Sequence, residues 1–284
     1  MALEIRVLDL GSVELESSFL VHRRSPGKGI TVPVFAYLIL GGEHPIVVDT
    51  GFRSTEIMKR TGMIGHQSPE QEVESQLARF DVALKDVRYI IHTHLHIDHC
   101  GKDDLFPMST TAVVNRREME FSVAGLGGYQ PEDIKHLIDR LHTKNALRFL
   151  DLELTGGEEV VPGVVCYAAN AHTDGSMLIA VETEQGQAVI TGDVIYDIHD
   201  QIVVPFGSVQ DREPTHTGHH TGSRRHEKAA IKRILNIADF ILPAHDQGAA
   251  IKNAEVVGRW HGDIPGGHLD TLEPRPWFPV CGSC

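Results

Sequence analysis

Cysteine is scarce in this sequence, since 284 residues contain only four. That number is too low for a disulfide framework of the kind that stabilises small secreted domains. Two of the four, Cys281 and Cys284, form a C-x-x-C motif at the C-terminus, but the sequence has no second pair to complete a four-thiolate zinc site. We therefore expect two free thiols in a solvated tail, and Cys100 and Cys166 packed as small apolar side chains.

Long apolar runs and positive charge are also lacking. No run approaches the roughly 20 residues of a membrane span, and the N-terminus has neither the basic start nor the apolar core of a secretory signal. These absences predict a cytoplasmic protein without a membrane partner. The 26 Lys and Arg residues against 39 Asp and Glu residues give a net charge of −13. A surface of that charge repels a phosphate backbone, which argues against nucleic acid as a partner.

Strand and helix patterns alternate along the chain in two series, which predicts an α/β protein with sheet at its centre and helices outside. One helix has a clear start, because Ser68 as N-cap is followed by Pro69 and by Gln71, which completes a capping box. The other predicted helices cover 131–143 and 226–239, and the predicted strands cover 34–40, 44–51, 87–94, 110–115, 147–153, 163–169, 176–183, 188–193 and 240–245.

The stretch HTHLHIDHC, residues 92–100, concentrates four imidazoles and a carboxylate just after the apolar run RYII. His94 and His96 are two apart, so in an extended segment both side chains point to one side, and Asp98 and His99 turn around the same point. Imidazole and carboxylate without thiolate suit zinc or another first-row divalent ion. One loop cannot complete two coordination shells, so the ends of other strands must contribute. The candidates at or just past predicted strand ends are His172 in NAHTDGS, Asp193 in ITGDV and His245 in LPAHD.

These motifs resemble the metallo-β-lactamase superfamily over about residues 7–253. The superfamily's H-x-H-x-D-H motif is matched by residues 94–99, its later H-[ST]-x-G by HTDG at His172, its bridging aspartate by TGD at Asp193, and its last histidine by His245. Within the superfamily the chain resembles the N-acyl-homoserine lactonases. That similarity rests on VPVFAYLI near the start, HLHIDH, the HD pair at 245–246, and Tyr196 three residues after Asp193.

The resemblance implies an αβ/βα four-layer sandwich with two divalent metal ions between the sheets, zinc being the expected metal. It also implies that a hydroxide bridging the metals opens a small-molecule lactone or ester, with acyl-homoserine lactones as the default. Tyr196 would donate to the developing oxyanion, and Asp98 would move a proton to the leaving oxygen. The implied ligands are His94, His96 and His172 for one metal, Asp98, His99 and His245 for the other, and Asp193 as the bridge.

Several alternatives stay open at this point. The chain could hydrolyse a different catabolic lactone or carboxylic ester on the same scaffold, or keep its metals without catalysis. The ring of Tyr196 could simply pack in the core. Asp49 in DTG lacks the second such motif that an aspartic protease needs, so orienting the ligand loop is the favoured role. His92 is interpreted as a packing residue or as one that orients the ligands. Asp246 is interpreted as another residue that orients the ligands or as a solvated one.

Two segments depart from the family. The stretch 204–226 is longer than expected. It either lines the pocket or forms a solvated loop, and its candidate pocket residues are His216, His219, His220, Arg224 and Arg225. The predicted hydrolase domain covers 1–253. The remaining tail, 254–284, either packs on that domain or wraps a partner subunit in a homodimer.

Overall fold

Two seven-stranded sheets form the centre of the part of the chain that the computed structural model describes, which comprises residues 2–124, 128–205, 213–218 and 223–259. The strands of the first sheet are β1 (Glu4–Glu16), β2 (Gly29–Leu40), β3 (Ile46–Val48), β4 (Ile64–His66), β5 (Tyr89–Ile91), β6 (Thr111–Asn115) and β7 (Leu147–Leu150). Those of the second are β8 (Gly157–Val161), β9 (Val164–Ala168), β10 (Met177–Thr183), β11 (Gly186–Gly192), β12 (Phe240–Pro243), β13 (Ala249–Lys252) and β14 (Glu255–Arg259).

Both sheets are mixed. The first has the order β4-β1-β2-β3-β5-β6-β7, and its pairs β3–β5, β5–β6 and β6–β7 are parallel. The second runs from β14 to β8 in reverse chain order, and only its pair β11–β12 is parallel among the described strands. The carboxyl ends of β5, β11 and β12 are therefore free to carry functional loops at one edge of the fold.

Side-chain alternation along β2 explains the layers. Tyr37 and Ile39 pack in a cluster that also contains Ile179 and Leu242 of the second sheet, so this cluster is the core between the sheets. Ala36 and Leu38, on the opposite face, pack with helix residues. A strand buried on both faces becomes a continuous apolar run such as VFAYLIL rather than an alternating one.

Helices cover the outer faces of both sheets. Met58 and Leu77 pack on the first sheet, and Ile231 and Ile234 pack on the second. This arrangement confirms the αβ/βα sandwich that the resemblance implied. The helices are α1 (Ser17–Leu20), α2 (Thr55–Arg60), α3 (Val73–Ala78), α4 (Arg116–Val123), α5 (Pro131–Ile138), α6 (Leu152–Thr155) and α7 (Arg224–Ile237). No helix among the described residues combines the length and apolarity needed to cross a bilayer.

The ends of several elements differ from the sequence predictions. The capping box of Ser68 and Gln71 is present, but it opens a short 3-10 turn, and extended backbone at Glu72 separates that turn from α3. The strand predicted over 87–94 ends at Ile91, and the strand predicted over 44–51 ends at Val48. In both cases the polar residues that follow leave the ladder and enter the loops described below.

β14 carries the second sheet past residue 253, by pairing with β13 up to Arg259. Residues 260–284, with Cys281 and Cys284, lie outside the described residues, so the division of the chain at 253 and the packing of the tail stay predictions. Cys100 and Cys166 are buried in apolar clusters as predicted.

Candidate metal centre

The seven predicted ligands lie together where loops from both sheets meet. Residues 92–99 follow β5 of the first sheet. The other three ligands follow strands of the second sheet, at positions 172, 193 and 245, and β12 is tied across to β2 because Phe35 N donates to Ala244 O at 2.8 Å. Five of the seven are buried, and His96 and Asp98 are partly exposed. The loop of the motif and the three distant strand ends therefore converge on one place.

Three histidines form what we call the imidazole group: His94, His96 and His172. The Nε2 atom of His172 lies 3.0 Å from Nε2 of His94 and 2.9 Å from Nδ1 of His96. The three side chains can direct one nitrogen each to a common point. The backbone of His172 is left-handed, with φ of 65°. A non-glycine residue rarely adopts that conformation, so the surrounding loop must impose it to direct the ring inward.

Asp98, His99 and His245 form a second cluster, which we call the mixed group. The Nε2 atom of His245 lies 3.4 Å from a carboxylate oxygen of Asp98, and Nε2 of His99 lies 3.7 Å from the other. These three residues can also direct one ligand atom each to a common point. The mixed group therefore differs from the imidazole group in carrying a negative charge of its own.

Asp193 lies between the two groups and directs one oxygen to each. Its Oδ1 is 3.1 Å from Nε2 of both His99 and His245. Its Oδ2 is 3.4 Å from Nε2 of His172 and 3.7 Å from Nε2 of His94. This is the position that a carboxylate shared by two cations would take.

The charges at the site are strongly coupled. Burial alone would raise the pKa of Asp193, but the surrounding histidines, His245 and His99 foremost, hold it well below its usual value. Conversely, burial alone would lower the pKa of His99, but Asp193, Asp98 and Asp49 raise it well above normal. The pKa of His94 is lowered, by burial first and then by the neighbouring imidazoles. The carboxylates thus create a negative field that favours a cation beside His99.

Buried polar atoms that lack a hydrogen-bond partner test whether these residues fit metal ions. The Nδ1 atom of His99 lies 2.9 Å from a carboxylate oxygen of Asp49, and Nδ1 of His245 lies 2.7 Å from the carbonyl of Pro33. Both acceptors require a proton on Nδ1, so in the neutral ring, the form that binds a metal ion, the lone pair lies on Nε2. Those two Nε2 atoms and Oδ1 of Asp193 are buried and make no hydrogen bond. Converging lone pairs without donors suit a cation, and the donor set suits divalent ions of the zinc type.

Asp49 organises the ligand loop from the end of β3. One of its oxygens accepts from Thr93 N at 2.8 Å, and the other accepts from Thr93 Oγ1 at 2.6 Å as well as from His99. The hydroxyl of Thr93 is in turn 3.1 Å from Nδ1 of His94, which extends this support to the imidazole group. The orienting role that the sequence suggested for Asp49 agrees with these contacts. Its left-handed backbone, φ 62°, is the conformation that aims the carboxylate at the loop.

Tyr196 is buried beside the mixed group. Its hydroxyl donates to Oδ2 of Asp193 at 2.6 Å, and its ring stacks on His245 with centroids 5.0 Å apart. Gln201, which is fully buried, fixes the turn: its Oε1 accepts from the backbone N–H groups of Tyr196 at 2.7 Å and Asp197 at 3.0 Å. Gln201 was not predicted, because nothing in the local sequence distinguishes a buried glutamine from an exposed one.

Other residues singled out in the sequence lie away from the ligands. His92 is buried against Asp103, at 2.8 Å, and burial is outweighed by Asp103 and Asp49, which raise its pKa to about 9. Asp246 pairs with Arg259 of β14 and is a structural ion pair rather than a solvated residue.

The long segment 204–226 is described only in part. His216 is buried, with its ring 4.4 Å from that of His22, so it belongs to the packed interior rather than to a solvated loop. Arg224 and Arg225 are exposed on the first turn of α7. His219 and His220 lie outside the described residues, so a pocket-lining role for the segment stays a prediction.

Comparison with known proteins agrees with this geometry. The family model described as the metallo-beta-lactamase superfamily matches residues 29–245. The N-acyl homoserine lactonase AiiA of Bacillus thuringiensis subsp. kurstaki is 31% identical over 197 residues, which cover 66% of this chain and 73% of the relative. An N-acyl homoserine lactonase of Bacillus cereus is 29% identical over the same shares of each chain.

Solved structures are similar over a longer stretch. An N-acyl homoserine lactone hydrolase with the product N-hexanoyl-L-homoserine bound at its catalytic metal centre matches with a TM-score of 0.68 and 25% identity, covering 87% of this chain and 94% of that one. AidC, a dizinc quorum-quenching lactonase in complex with the same product, matches with a TM-score of 0.60 and 16% identity, covering 97% and 95%. The second likeness concerns the fold alone.

Proposed function

The chain belongs to the metallo-beta-lactamase superfamily, and on this premise we propose that it is a dinuclear metal-dependent hydrolase that opens the ring of a lactone of the N-acyl homoserine lactone class. The observation that carries the proposal is the carboxylate of Asp193, which directs one oxygen to the imidazole group and the other to the mixed group. The similarity to lactonases supports the choice of substrate class.

In the proposed assignment, His94, His96 and His172 would hold one ion, Asp98, His99 and His245 would hold the other, and Asp193 would serve both. When bound, such a pair supplies a water whose pKa falls from about 16 toward 7 and a Lewis acid for the carbonyl oxygen. The protein's contribution is to fix the rings. Hydrogen bonds at Nδ1 to Asp49 and to Pro33 O leave Nε2 of His99 and His245 as the ligand atoms.

Tyr196 is proposed as the donor to the oxyanion that develops during ring opening. Burial first, and the carboxylate of Asp193 next, raise the pKa of Tyr196 well above its usual value, so the phenol keeps its proton at neutral pH. Its hydroxyl now donates to Asp193, and a substrate oxygen beside Asp193 would compete for the same proton. A well-placed donor of this kind is worth about 3 kcal/mol in the transition state.

Asp98 is proposed to carry a proton to the leaving alkoxide. Its side chain is 13% exposed, so the carboxylate can contact both the mixed group and a substrate. A carboxylate in that place can accept the proton of the attacking water and return it to the leaving oxygen as the ring opens.

The central experiment combines metal analysis with pH-monitored hydrolysis of a panel containing acyl-homoserine lactones of several chain lengths, other lactones and simple carboxylic esters. We expect about two equivalents of divalent metal, acid release, and the highest kcat/KM among the acyl-homoserine lactones. A preference for another lactone or for an open-chain ester would keep the scaffold chemistry and reject the substrate class. Absence of hydrolysis by metal-loaded protein would reject the enzyme.

Tyr196→Phe tests the proposed donor. We expect kcat to fall about 100-fold while the metal content stays at the wild-type value. Tyr167→Phe is the matched control, since Tyr167 is a half-buried tyrosine that packs on the outer cluster of the second sheet. A Tyr196→Phe variant with unchanged kcat would remove Tyr196 from the mechanism and leave the metal assignment standing.

Three finer parts of the proposal come from the sequence. Zinc is the proposed metal, because the donors are imidazole and carboxylate. We also propose that the chain forms a homodimer through the tail 254–284, and that it is located in the cytoplasm and has no nucleic-acid partner. Elemental analysis of protein from unsupplemented medium tests the metal. Light scattering of the full chain and of its 1–259 truncation tests the homodimer, and cell fractionation tests the location.

A further inference from the structure

Glu118 is a charged side chain in an unusual place. It lies in α4, which follows β6, and it is only 1% exposed. A buried carboxylate is costly unless donors surround it. No motif in the sequence marks this residue, and the proposed mechanism does not use it.

Three donors satisfy Glu118, and each comes from a different segment near the imidazole group. The backbone N–H of Leu95 donates to Oε1 at 2.9 Å, and the hydroxyl of Tyr129 donates to the same oxygen at 3.0 Å. The hydroxyl of Thr173 donates to Oε2 at 2.7 Å. A carboxylate only accepts, so it can bind all three donors at once.

The position of each donor along the chain connects Glu118 to the imidazole group. Leu95 separates His94 from His96, and Thr173 directly follows His172. The ring of Tyr129 packs on that of His96, with centroids 5.1 Å apart. One side chain therefore holds the backbone beside all three imidazoles, although it touches none of the rings.

Close backbone contact strengthens the same link. A Cβ at Gly175 would come within 2.1 Å of the Glu118 nitrogen, so only glycine allows the loop after His172 to lie against α4. Nδ2 of Asn115 also donates to Gly175 O at 2.9 Å. The loop of His172 thus lies in close contact with the start of α4 at Gly175, and it is hydrogen-bonded there through Thr173. This also explains the Thr and Gly of the HTDG motif.

We propose that Glu118 is the positioning residue of the imidazole group, which it places by holding the loops of residues 94–96 and 172–175 against α4 at a fixed distance. The inference rests on the metal assignment in the proposed function. It adds that the two metal sites are supported by different carboxylates, so one can be weakened while the other is kept.

Metal affinity of the full-length protein, measured by competition with a chelator, tests this inference. Glu118→Ala is expected to lower the affinity of one of two resolved binding phases 10- to 100-fold, the usual cost of losing an outer hydrogen-bond partner. The other phase should change by less than about twofold. Glu118→Gln should recover part of the loss, because its amide oxygen still accepts from Leu95 N. Glu120→Gln is the matched control, from an exposed position of the same helix.

Two milder variants keep the test decisive if Glu118→Ala does not fold. Thr173→Val and Tyr129→Phe each remove one hydroxyl donor with almost no change in shape, and each should weaken the same phase by a smaller factor. Equal weakening of both phases, or a fall in the unfolding temperature of the metal-free protein without a change in metal affinity, would assign Glu118 a general structural role and overturn the proposal. Because the readout needs no lactone, its outcome is independent of whether the substrate class is right.

Discussion

The imidazole group and the mixed group lie side by side, but they are held in different ways. In the mixed group each histidine ring has its own acceptor: Asp49 for His99 and the carbonyl of Pro33 for His245. In the imidazole group, Glu118 binds the backbone and hydroxyl groups beside the rings rather than the rings themselves. The mixed group is oriented through its side chains and the imidazole group mainly through its loops.

This difference has a physical consequence. A hydrogen bond to a ring nitrogen selects the tautomer, so its loss changes which nitrogen can bind a metal. A hydrogen bond to the neighbouring backbone selects only position, so its loss loosens a site without changing its chemistry. Substitutions around the mixed group should therefore act more abruptly than those around the imidazole group. Besides Asp193, which faces both groups, Thr93 links their supports, since it joins Asp49 to His94.

The largest effect is expected where the two groups are joined. Asp193→Ala removes the carboxylate shared by four imidazoles, so both metal-binding phases should weaken and kcat/KM should fall by about 1000-fold or more. Metal titration and hydrolysis assays check this. Asp174→Ala, at an exposed position near His172, is the control. Weakening of one phase only would show that Asp193 belongs to a single group, which would break the comparison as stated.

A selective effect is expected at Asp49. In Asp49→Asn, the amide oxygen can still accept from Thr93 N, which places the NH2 group against His99 Nδ1 and favours the tautomer with its proton on Nε2. We expect a 10- to 100-fold loss of affinity at one phase and a smaller loss at the other, through Thr93. Asparagine tolerates the left-handed backbone of position 49.

Asp81→Asn is the control for that substitution, because Asp81 is exposed and also left-handed, with φ 57°. The phase weakened by Asp49→Asn should be the one that Glu118→Ala spares. If both substitutions weaken the same phase, the two groups share their support and the contrast between them disappears.

The smallest effect on the site is expected at Asp133, in α5. Both oxygens of this buried carboxyl lack a hydrogen-bond partner, and burial, followed by the charge of Asp103, raises its pKa from 3.8 to about 7. As pH rises from 3.8 to 7, the unfolded chain releases a proton that the folded chain keeps, so stability is lost across this window. Asp133→Asn should remove that loss and be more stable than wild type by about 4 kcal/mol at pH 8, with no gain near pH 4.

Urea unfolding at both pH values measures this gain, with Asp139→Asn as the exposed control on the same helix segment. Metal affinity should stay within about twofold of wild type in both phases. A gain that is equal at pH 4 and pH 8 would contradict the assigned titration. A change in metal affinity would show that the packing of α5 contributes to positioning, in addition to Glu118.

Part of this site could be predicted from the residues alone. The spacing of His94, His96, Asp98 and His99 concentrates donors on one short loop, whatever the rest of the fold does. The position of His172, Asp193 and His245 just past apolar runs indicates strand ends, where open sheets present ligands. The predicted strands were too long at the same places, since the polar residues after Val48 and Ile91 belong to loops rather than to the ladder.

The sequence by itself determined the donor types, their order and the alternation of strands and helices, because these depend on local chemistry and periodicity. Only the tertiary structure decided which atoms face each other: the two oxygens of Asp193, the ring nitrogen of His99 held by Asp49, and the loops held by Glu118. The reason is that burial turns an ordinary glutamate or aspartate into a group that must be satisfied by donors, and those donors come from segments 11 to 55 residues away. No local pattern contains that information.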